Sequence, residues 1–489
     1  MTIYFNGHDY KYELEAVIKL FVQCRTFDMR YDVPIDTEEY ILTEKTTDGE
    51  NATLSVQLKL LGEEFTASKT VKDETANCER GFAILLYAGL SKIFDCYPEW
   101  GILTGIRPVA LMERLRKEGK TDEEVTDYLM EECLVTKPKI DLGFSILKNQ
   151  KEITEDNHRN DYSLYIGIPF CPSRCSYCSF VSHSIETSKA KKLIQPYVDL
   201  LLKEIAEAAK AAKEMGLNLR TVYIGGGTPT AVSAEQLKQI TDAVREHFDP
   251  KEEYTIEAGR ADSITREKLE VIKASGCNRI SINPQSFSDA VLKEIGRKHT
   301  AKEAIDCYHM AREMGFENIN MDFIAGLPGD TVETFQNTID TAIALDPTNI
   351  TIHTLSLKRS STLYQEVRDK ELCKHEETPA AKMVRYAQEN LLKAGYQPYY
   401  LYRQKNMLDN LENVGYAKPG FYNAYNIYIM EEVHSILALG AGGVSKLVFP
   451  GGRIERSFNF KYPYEYIDRF EEVLQRKREL IPLWLDGIK

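Results

Sequence analysis

The sequence predicts an α/β protein whose centre is a parallel sheet built from six consecutive strand–helix units, with an α+β segment on each side. Three observations lead there. Between residues 160 and 395, short apolar runs alternate six times with amphipathic helical patterns, which lays the strands parallel with right-handed crossovers. Gly216, Gly276, Gly315 and Gly395 each stand where a helix of that pattern should stop. On both sides of the window the alternation is lost. Such a sheet is either open or curled into a partial barrel, and in both cases its ligands belong at the C-terminal ends of the strands.

Taken in order, residues 1–150 read as an α+β domain. Alternating segments at 40–43, 52–60 and 64–70 suit a small antiparallel sheet with a turn at Asp48-Gly49, and a helix follows to about Cys96. In Trp100-Gly-Ile-Leu-Thr-Gly-Ile-Arg-Pro108 the proline suits the first turn of a helix, and Thr121-Asp-Glu-Glu124 is a capping box. The polar stretch 148–161 is the expected linker. Strands are then predicted at 163–168, 221–224, 254–257, 279–282, 318–323 and 349–355, with helices at 192–215, 234–248, 266–275, 301–314, 332–344 and 379–394. Ser233-Ala-Glu-Gln236 is a second capping box. Residues 396–489 are expected as a separate α+β extension.

Composition narrows the function. A chain of 489 residues implies two or three domains, and 43% hydrophobic with 28% charged residues is ordinary for a globular protein with substantial cores. The formal net charge of −13 argues against a general binder of nucleic acid or anionic membrane, although a local basic pocket could hold an acidic small molecule. No apolar run approaches the roughly 18 residues that would cross a bilayer. The opening MTIYFNGHDYKY lacks the apolar core of a secretory signal. The expectation is no integral membrane segment, no nucleic-acid partner and a cytoplasmic location, where ten cysteines are reduced thiols. Seven of them are scattered.

The other three follow the first strand of the array, in Tyr165-Ile-Gly-Ile-Pro-Phe-Cys171-Pro-Ser-Arg-Cys175-Ser-Tyr-Cys178, with spacing C-x3-C-x2-C. Structural zinc wants four tetrahedral ligands, usually as two separated pairs. No second pair appears, and the nearest histidine is His183. Three thiolates on one tight loop suit a cubane iron–sulfur cluster, which normally takes four and so keeps one iron open. Packed thiols, a redox pair with a bystander, and a zinc site completed from elsewhere are the other readings. The position of the loop at a strand end favours the cluster.

Further polar groups fall at the other strand ends. Gly225-Gly-Gly-Thr-Pro-Thr230 follows the second strand, where glycines admit a ligand close to backbone and Thr228 offers a hydroxyl. It lacks the Gly-Lys-Ser/Thr of a phosphate loop, and alone such a run is more often a turn. Glu257 ends the third strand, Gln285 follows the fourth, and Asp322 lies near the end of the fifth. One such residue is commonly a cap or a surface group. Three at successive termini facing one mouth are better explained by a ligand, its ribose hydroxyls or its cationic centre. Arg297, twelve residues past Gln285, is placed to pair with a ligand carboxylate, though a solvated helix arginine is the commoner case.

Together these motifs resemble the radical S-adenosylmethionine (SAM) enzymes. Within that superfamily, Tyr165, Ile-Pro-Phe before Cys171, the Gly-Gly-Gly-Thr-Pro-Thr run, Gln285 with Arg297, and Asp322-Phe-Ile-Ala-Gly-Leu-Pro328 look like the oxygen-independent coproporphyrinogen III dehydrogenase (HemN-like) family, over residues 160–445. Trp100–Pro108, Arg403-Gln-Lys-Asn-Met407 and Asn413-Val-Gly-Tyr-Ala-Lys-Pro-Gly420 look like its HemZ branch. The resemblance implies a partial (β/α)6 radical-SAM barrel in which Cys171, Cys175 and Cys178 hold a 4Fe-4S cluster. It implies that Tyr165, Tyr177, Gly226, Gly227, Thr228, Glu257, Gln285, Arg297 and Asp322 contact S-adenosyl-L-methionine. It also implies a low-potential electron donor such as flavodoxin or ferredoxin. Two positions depart from the pattern. The best-studied branch has a further cysteine where this chain has Phe180, an aromatic there being more like the HemW-type haem chaperones, and both of those branches tend to carry a histidine where this chain has Gly167.

The activity implied is oxidative decarboxylation of the tetrapyrrole coproporphyrinogen III to protoporphyrinogen IX in haem biosynthesis. A HemW-like haem chaperone, or another radical reaction on haem or porphyrin, is the alternative. Four propionates would need cations, and Lys298, Lys358, Arg359, Arg403, Lys405 and Lys418 are candidates, although each alone is usually a solvated charge. Eight tyrosines between Tyr396 and Tyr428 could wall a macrocycle or close the open side of the barrel by packing. His299, His353 and His434 are candidate axial haem ligands.

Overall fold

The computed structural model describes residues 1–22, 26–105, 107–178, 182–357, 378–404 and 407–487. The chain forms two units, one of residues 1–147, 354–385 and 402–413, the other of residues 148–353, 386–401 and 414–489.

In the first unit β1 (Thr2–Asn6) lies between β2 (Asp28–Tyr31) and β3 (Tyr40–Asp48), parallel to both. The meander expected from the sequence follows, with β3, β4 (Asn51–Leu60) and β5 (Glu63–Lys72) antiparallel. Strand β4 buries Ala52, Leu54, Val56, Leu58 and Leu60 on one face, against which the helix Thr75–Phe94 packs. Two glycines on that helix set the approach. A Cβ at Gly81 would stand 2.5 Å from Leu54 Cδ1, and one at Gly89 2.5 Å from Leu58 Cδ1. Pro108 opens a helix and Thr121–Glu124 closes its capping box, both as predicted.

The segment read as a linker is instead helical. The helix Lys137–Glu155 runs through most of it, and Asp161 already begins a strand. Its polarity is that of a helix face turned to water, which composition alone does not separate from a linker.

The second unit is the predicted array. Strands β6 (Asp161–Ile168), β9 (Asn218–Gly226), β10 (Glu253–Gly259), β11 (Arg279–Gln285) and β12 (Asn318–Ala325) pair in parallel in that order, and β13 (Asn349–Thr354) lies beside β12. Between β6 and β9 come the two short strands β7 (Phe170–Cys171) and β8 (His183–Ser184), paired with each other. The helices Ser188–Glu214, Ala234–His247, Arg266–Ala274, Ala301–Glu313 and Val332–Leu345 make the crossovers of a partial (β/α)6 barrel. Gly216, Gly276, Gly315 and Gly395 all take positive φ at the helix ends where they were expected.

The residues expected as a separate C-terminal extension belong largely to the same sheet. Strands β14 (Gln397–Tyr402), β15 (Asn413–Ala417), β16 (Ser435–Leu439), β17 (Val444–Val448) and β18 (Ile454–Phe458) extend it at both ends, β15 antiparallel to β13 and β16 parallel to β6. An open parallel sheet leaves unpaired backbone groups at both edges, and these strands satisfy them. Behind β6, Tyr197 donates to Gly167 O at 2.6 Å, Tyr466 donates to Glu204 at 2.7 Å, and the buried Lys477 ammonium lies 3.4 Å from Glu204. The C-terminal helix Phe470–Gly487 is thereby fixed against the strand that leads into Cys171. Among the described residues no helix is long and apolar enough to cross a membrane.

Candidate functional site

Strand alternation decides what faces the barrel interior. Leu164, Ile166, Val222, Ile224, Ile256, Ile280, Ile282, Met321 and Ile352 are buried with the helical layer, while the opposite parity carries Tyr165, Tyr223, Glu257, Asn283, Asp322 and His353. Those six keep partial accessibility within otherwise buried strands. One mouth therefore receives Tyr165, Glu257 and Asp322, and the turns above them carry the cysteines, the glycine run and Gln285.

The cysteine loop is held on three sides. Its first strand pair sets Phe170 opposite His183 and Cys171 opposite Ser184. The glycine run meets it through Gly227 N–H to Ile168 O and Thr228 N–H to Phe170 O, both 2.8 Å, and Thr228 Oγ1 donates to Cys171 Sγ at 3.5 Å. A Cβ at Gly227 would sit 2.5 Å from Phe170 O and 3.0 Å from Cys171 Sγ, so only glycine fits. On the third side Ser176 N–H donates to Ile295 O at 3.1 Å. Cys171 and Cys175 are buried, Cys178 half-buried, and none of the three is in a disulfide. Among the described residues no three His, Cys, Asp or Glu converge on a single ion. A cubane does not require that, because each of its irons takes its own thiolate.

Two side chains at the mouth have hydrogen-bonding capacity that the protein does not use. Gln285 Oε1 and Arg297 Nε are buried without a partner, although buried polar groups are almost always paired. Gln285 also holds a φ of 71°, a left-handed backbone that a non-glycine residue adopts at a cost and that gathers at ligand sites. Arg297 is oriented by its other nitrogens, which donate to Asn283 O at 2.6 Å and to Tyr177 OH at 3.0 Å. An acceptor and a guanidinium Nε–H left open at the mouth fit a ligand that carries both an ammonium and a carboxylate.

The two carboxylates differ in charge state. Burial, reinforced by the nearby Asp322 charge, pushes Glu257 up to about 7 against the 2.6 Å hydrogen bond from Tyr223 OH. For Asp322 burial also opposes ionisation, but hydrogen bonding from His353, Asn320 and Thr351 outweighs it and keeps the acid below its usual range. Asn320 Nδ2 donates to Asp322 at 2.7 Å, and His353 Nε2 lies 3.9 Å from it. The mouth thus offers one firm negative charge and one that forms near neutrality.

Several functional neighbours were not anticipated. Tyr223 stacks on Tyr425 at 4.5 Å and on Tyr165 at 6.3 Å, giving the interior a floor of three parallel rings. Strand register carried a signal for this, since Tyr165 and Tyr223 are direct partners on the same face. Arg260, the residue after β10, reaches the cysteine loop.

Other expectations are corrected. Arg403 lies in the first unit with its guanidinium on the carbonyls of Leu103, Gly105 and Asn410. Lys298 is exposed and paired with Glu186, and Lys418 pairs with Asp346 near the start of β13. His434 is enclosed between Ser163 and Asn157, and burial takes it down to about 3, so its role is packing. His299 sits 3.2 Å from Arg297. Of the tyrosines after 395, Tyr425 enters the interior, while Tyr396 bonds Pro347 O and Tyr428 packs on His434. Lys358, Arg359, Lys405, Phe180, Cys24 and Cys373 lie outside the described residues.

Comparison with known proteins gives the chain's relatives. Residues 165–342 match the model of the Radical SAM superfamily. The chain is 41% identical over 385 residues to the oxygen-independent coproporphyrinogen-III oxidase-like protein HemZ of Bacillus subtilis, covering 78% of this chain and 76% of that one. It is 30% identical over 314 residues to the haem chaperone HemW of the same organism, covering 63% and 76%. In fold it is similar to coproporphyrinogen III oxidase (HemN) from Escherichia coli, with a TM-score of 0.51 at 23% identity over 66% of this chain and 72% of that one.

Proposed function

Because the chain belongs to the radical SAM superfamily, in the HemZ branch of the oxygen-independent coproporphyrinogen III oxidase-like proteins, we propose that it oxidatively decarboxylates coproporphyrinogen III to protoporphyrinogen IX without oxygen. The family's cofactors are a 4Fe-4S cluster and S-adenosyl-L-methionine. Cys171, Cys175 and Cys178 would hold the first. Tyr165, Tyr177, Gly226, Gly227, Thr228, Glu257, Gln285, Arg297 and Asp322 would surround the second. Bound together, the two supply a 5′-deoxyadenosyl radical able to take a hydrogen atom from an unactivated carbon.

The chain's own contribution is position, charge and exclusion of water. Gln285 and Arg297 address the amino-acid end of the cofactor, Asp322 and the ionised form of Glu257 face its positive charge, and Tyr165, Tyr223 and Tyr425 close the interior beneath. Overall, each of two propionates loses a hydrogen from its β-carbon and its carboxylate as carbon dioxide, with one electron passed to an acceptor. A low-potential protein such as flavodoxin or ferredoxin is the proposed electron donor.

The observation that carries this reading is that Gln285 Oε1 and Arg297 Nε are buried without a partner at the mouth whose turns carry the three cysteines. Anaerobic incubation of the reconstituted protein with dithionite, S-adenosylmethionine and coproporphyrinogen III tests it. Vinyl-bearing product with matching 5′-deoxyadenosine is expected. The relationship to HemW favours a second reading, a haem chaperone. Tight haem binding with no substrate-dependent 5′-deoxyadenosine would establish that one instead.

A further inference from the structure

Arg260 is a buried charge that no step above uses. It follows the last residue of β10, is 4% exposed, and has its backbone fixed by Ser263 Oγ donating to its carbonyl at 2.8 Å. Its guanidinium faces two ways. Nε and Nη2 grip Asp262 in a bidentate pair at 2.9 and 2.6 Å, and Nη1 donates to Ser173 O at 3.1 Å and to Cys175 Sγ at 3.6 Å. A lysine there could not do both, because only a planar fork addresses a carboxylate and a sulfur in fixed directions.

Hydrogen bonds and positive charge at a ligating sulfur stabilise the reduced, more negative state of an iron–sulfur cluster and raise its potential. We propose that Arg260 is a tuning residue. Through its N–H to Cys175 Sγ it raises the reduction potential of the cluster that the three cysteines hold, and Asp262 limits the effect by cancelling part of the guanidinium charge. The change in the couple is one electron taken up from an external reductant. Arg297, also buried at the mouth, donates to Tyr177 and Asn283 O, and among the described residues the N–H at Cys175 Sγ comes from Arg260. The inference rests on the family's cluster and is independent of which tetrapyrrole is bound.

The test is a redox titration of full-length reconstituted protein followed by the paramagnetic signal of the reduced cluster. In Arg260→Met the ratio of reduced to oxidised cluster at a fixed potential should fall about tenfold, equivalent to a midpoint about 59 mV more negative for a one-electron couple. In Asp262→Asn the guanidinium remains and its counter-charge is gone, so the ratio should rise. A clamp that merely held the loop would alter iron content in either variant without moving the midpoint of the clusters that do assemble. Unchanged midpoints in clusters of normal iron content overturn the proposal. Should Arg260→Met assemble no cluster, the upward shift in Asp262→Asn decides it, and its absence refutes the assignment.

Discussion

Trp100 donates its indole N–H to Glu412 at 2.8 Å, joining residues 312 apart in the chain. Glu412 is fully buried and also receives Lys139, while Arg403 lies over the Trp100 ring at 5.6 Å and holds the carbonyls of Leu103, Gly105 and Asn410. The tryptophan segment near residue 100 and the arginine segment after 402 are thus one cluster inside the first unit, which explains why Arg403 is not available to a substrate.

Burial would raise Glu412, but Lys139, the Trp100 N–H and Arg403 keep it ionised. Lys139→Met therefore leaves a buried carboxylate short of its main counter-charge. A loss of about 3–5 kcal/mol in a denaturant titration is expected, with a smaller loss in the Lys139→Met/Glu412→Leu double variant.

Cys175→Ala should remove the iron–sulfur absorbance and all S-adenosylmethionine cleavage while far-ultraviolet circular dichroism stays unchanged. The loop lies above the barrel and contributes little to its core. Brown colour and turnover retained in this variant would refute the ligand assignment.

Gln285→Leu separates binding from stability. The leucine removes an unpaired buried acceptor, so the cofactor-free protein should be unchanged or firmer by about 1 kcal/mol. The same change should weaken S-adenosylmethionine binding about tenfold or more by calorimetry on reconstituted protein.

Gly227→Ala places a methyl group 2.5 Å from Phe170 O and 3.0 Å from Cys171 Sγ. Backbone on that side cannot yield cheaply, so a cost of about 1–3 kcal/mol is expected in thermal unfolding, together with reduced iron content.

Glu257 gives the ligand-free protein a pH dependence opposite to that of a salt-bridged carboxylate. Its folded value of about 7 lies above the ordinary 4.5, so the folded state binds more protons between those limits. The group's stability contribution is complete below pH 4.5 and lost as pH rises to about 7. Its partial accessibility holds the loss to about 2 kcal/mol, short of the roughly 3 kcal/mol a dry site would give. Glu257→Gln should remove this part of the slope in unfolding curves taken from pH 4 to 8.

Much of the barrel was readable because its signals are local. Apolar period, capping residues and glycine stops each act within a few residues, so strands, crossovers and the ends of the helices fell close to where the pattern put them. The cysteine spacing and strand-terminal polar groups were readable for the same reason, as a parallel array delivers every strand end to one mouth. The sequence by itself determined that array, its three-thiol loop and the family. Only the tertiary structure decided that Tyr223 and Tyr425 floor the interior, that Arg260 reaches Cys175, and that Arg403 and His434 serve packing. It also decided that the chain after residue 395 completes the barrel's sheet. Those choices depend on strand register and on which buried charge finds its partner, and both are settled between segments far apart in the chain, where local pattern carries no information.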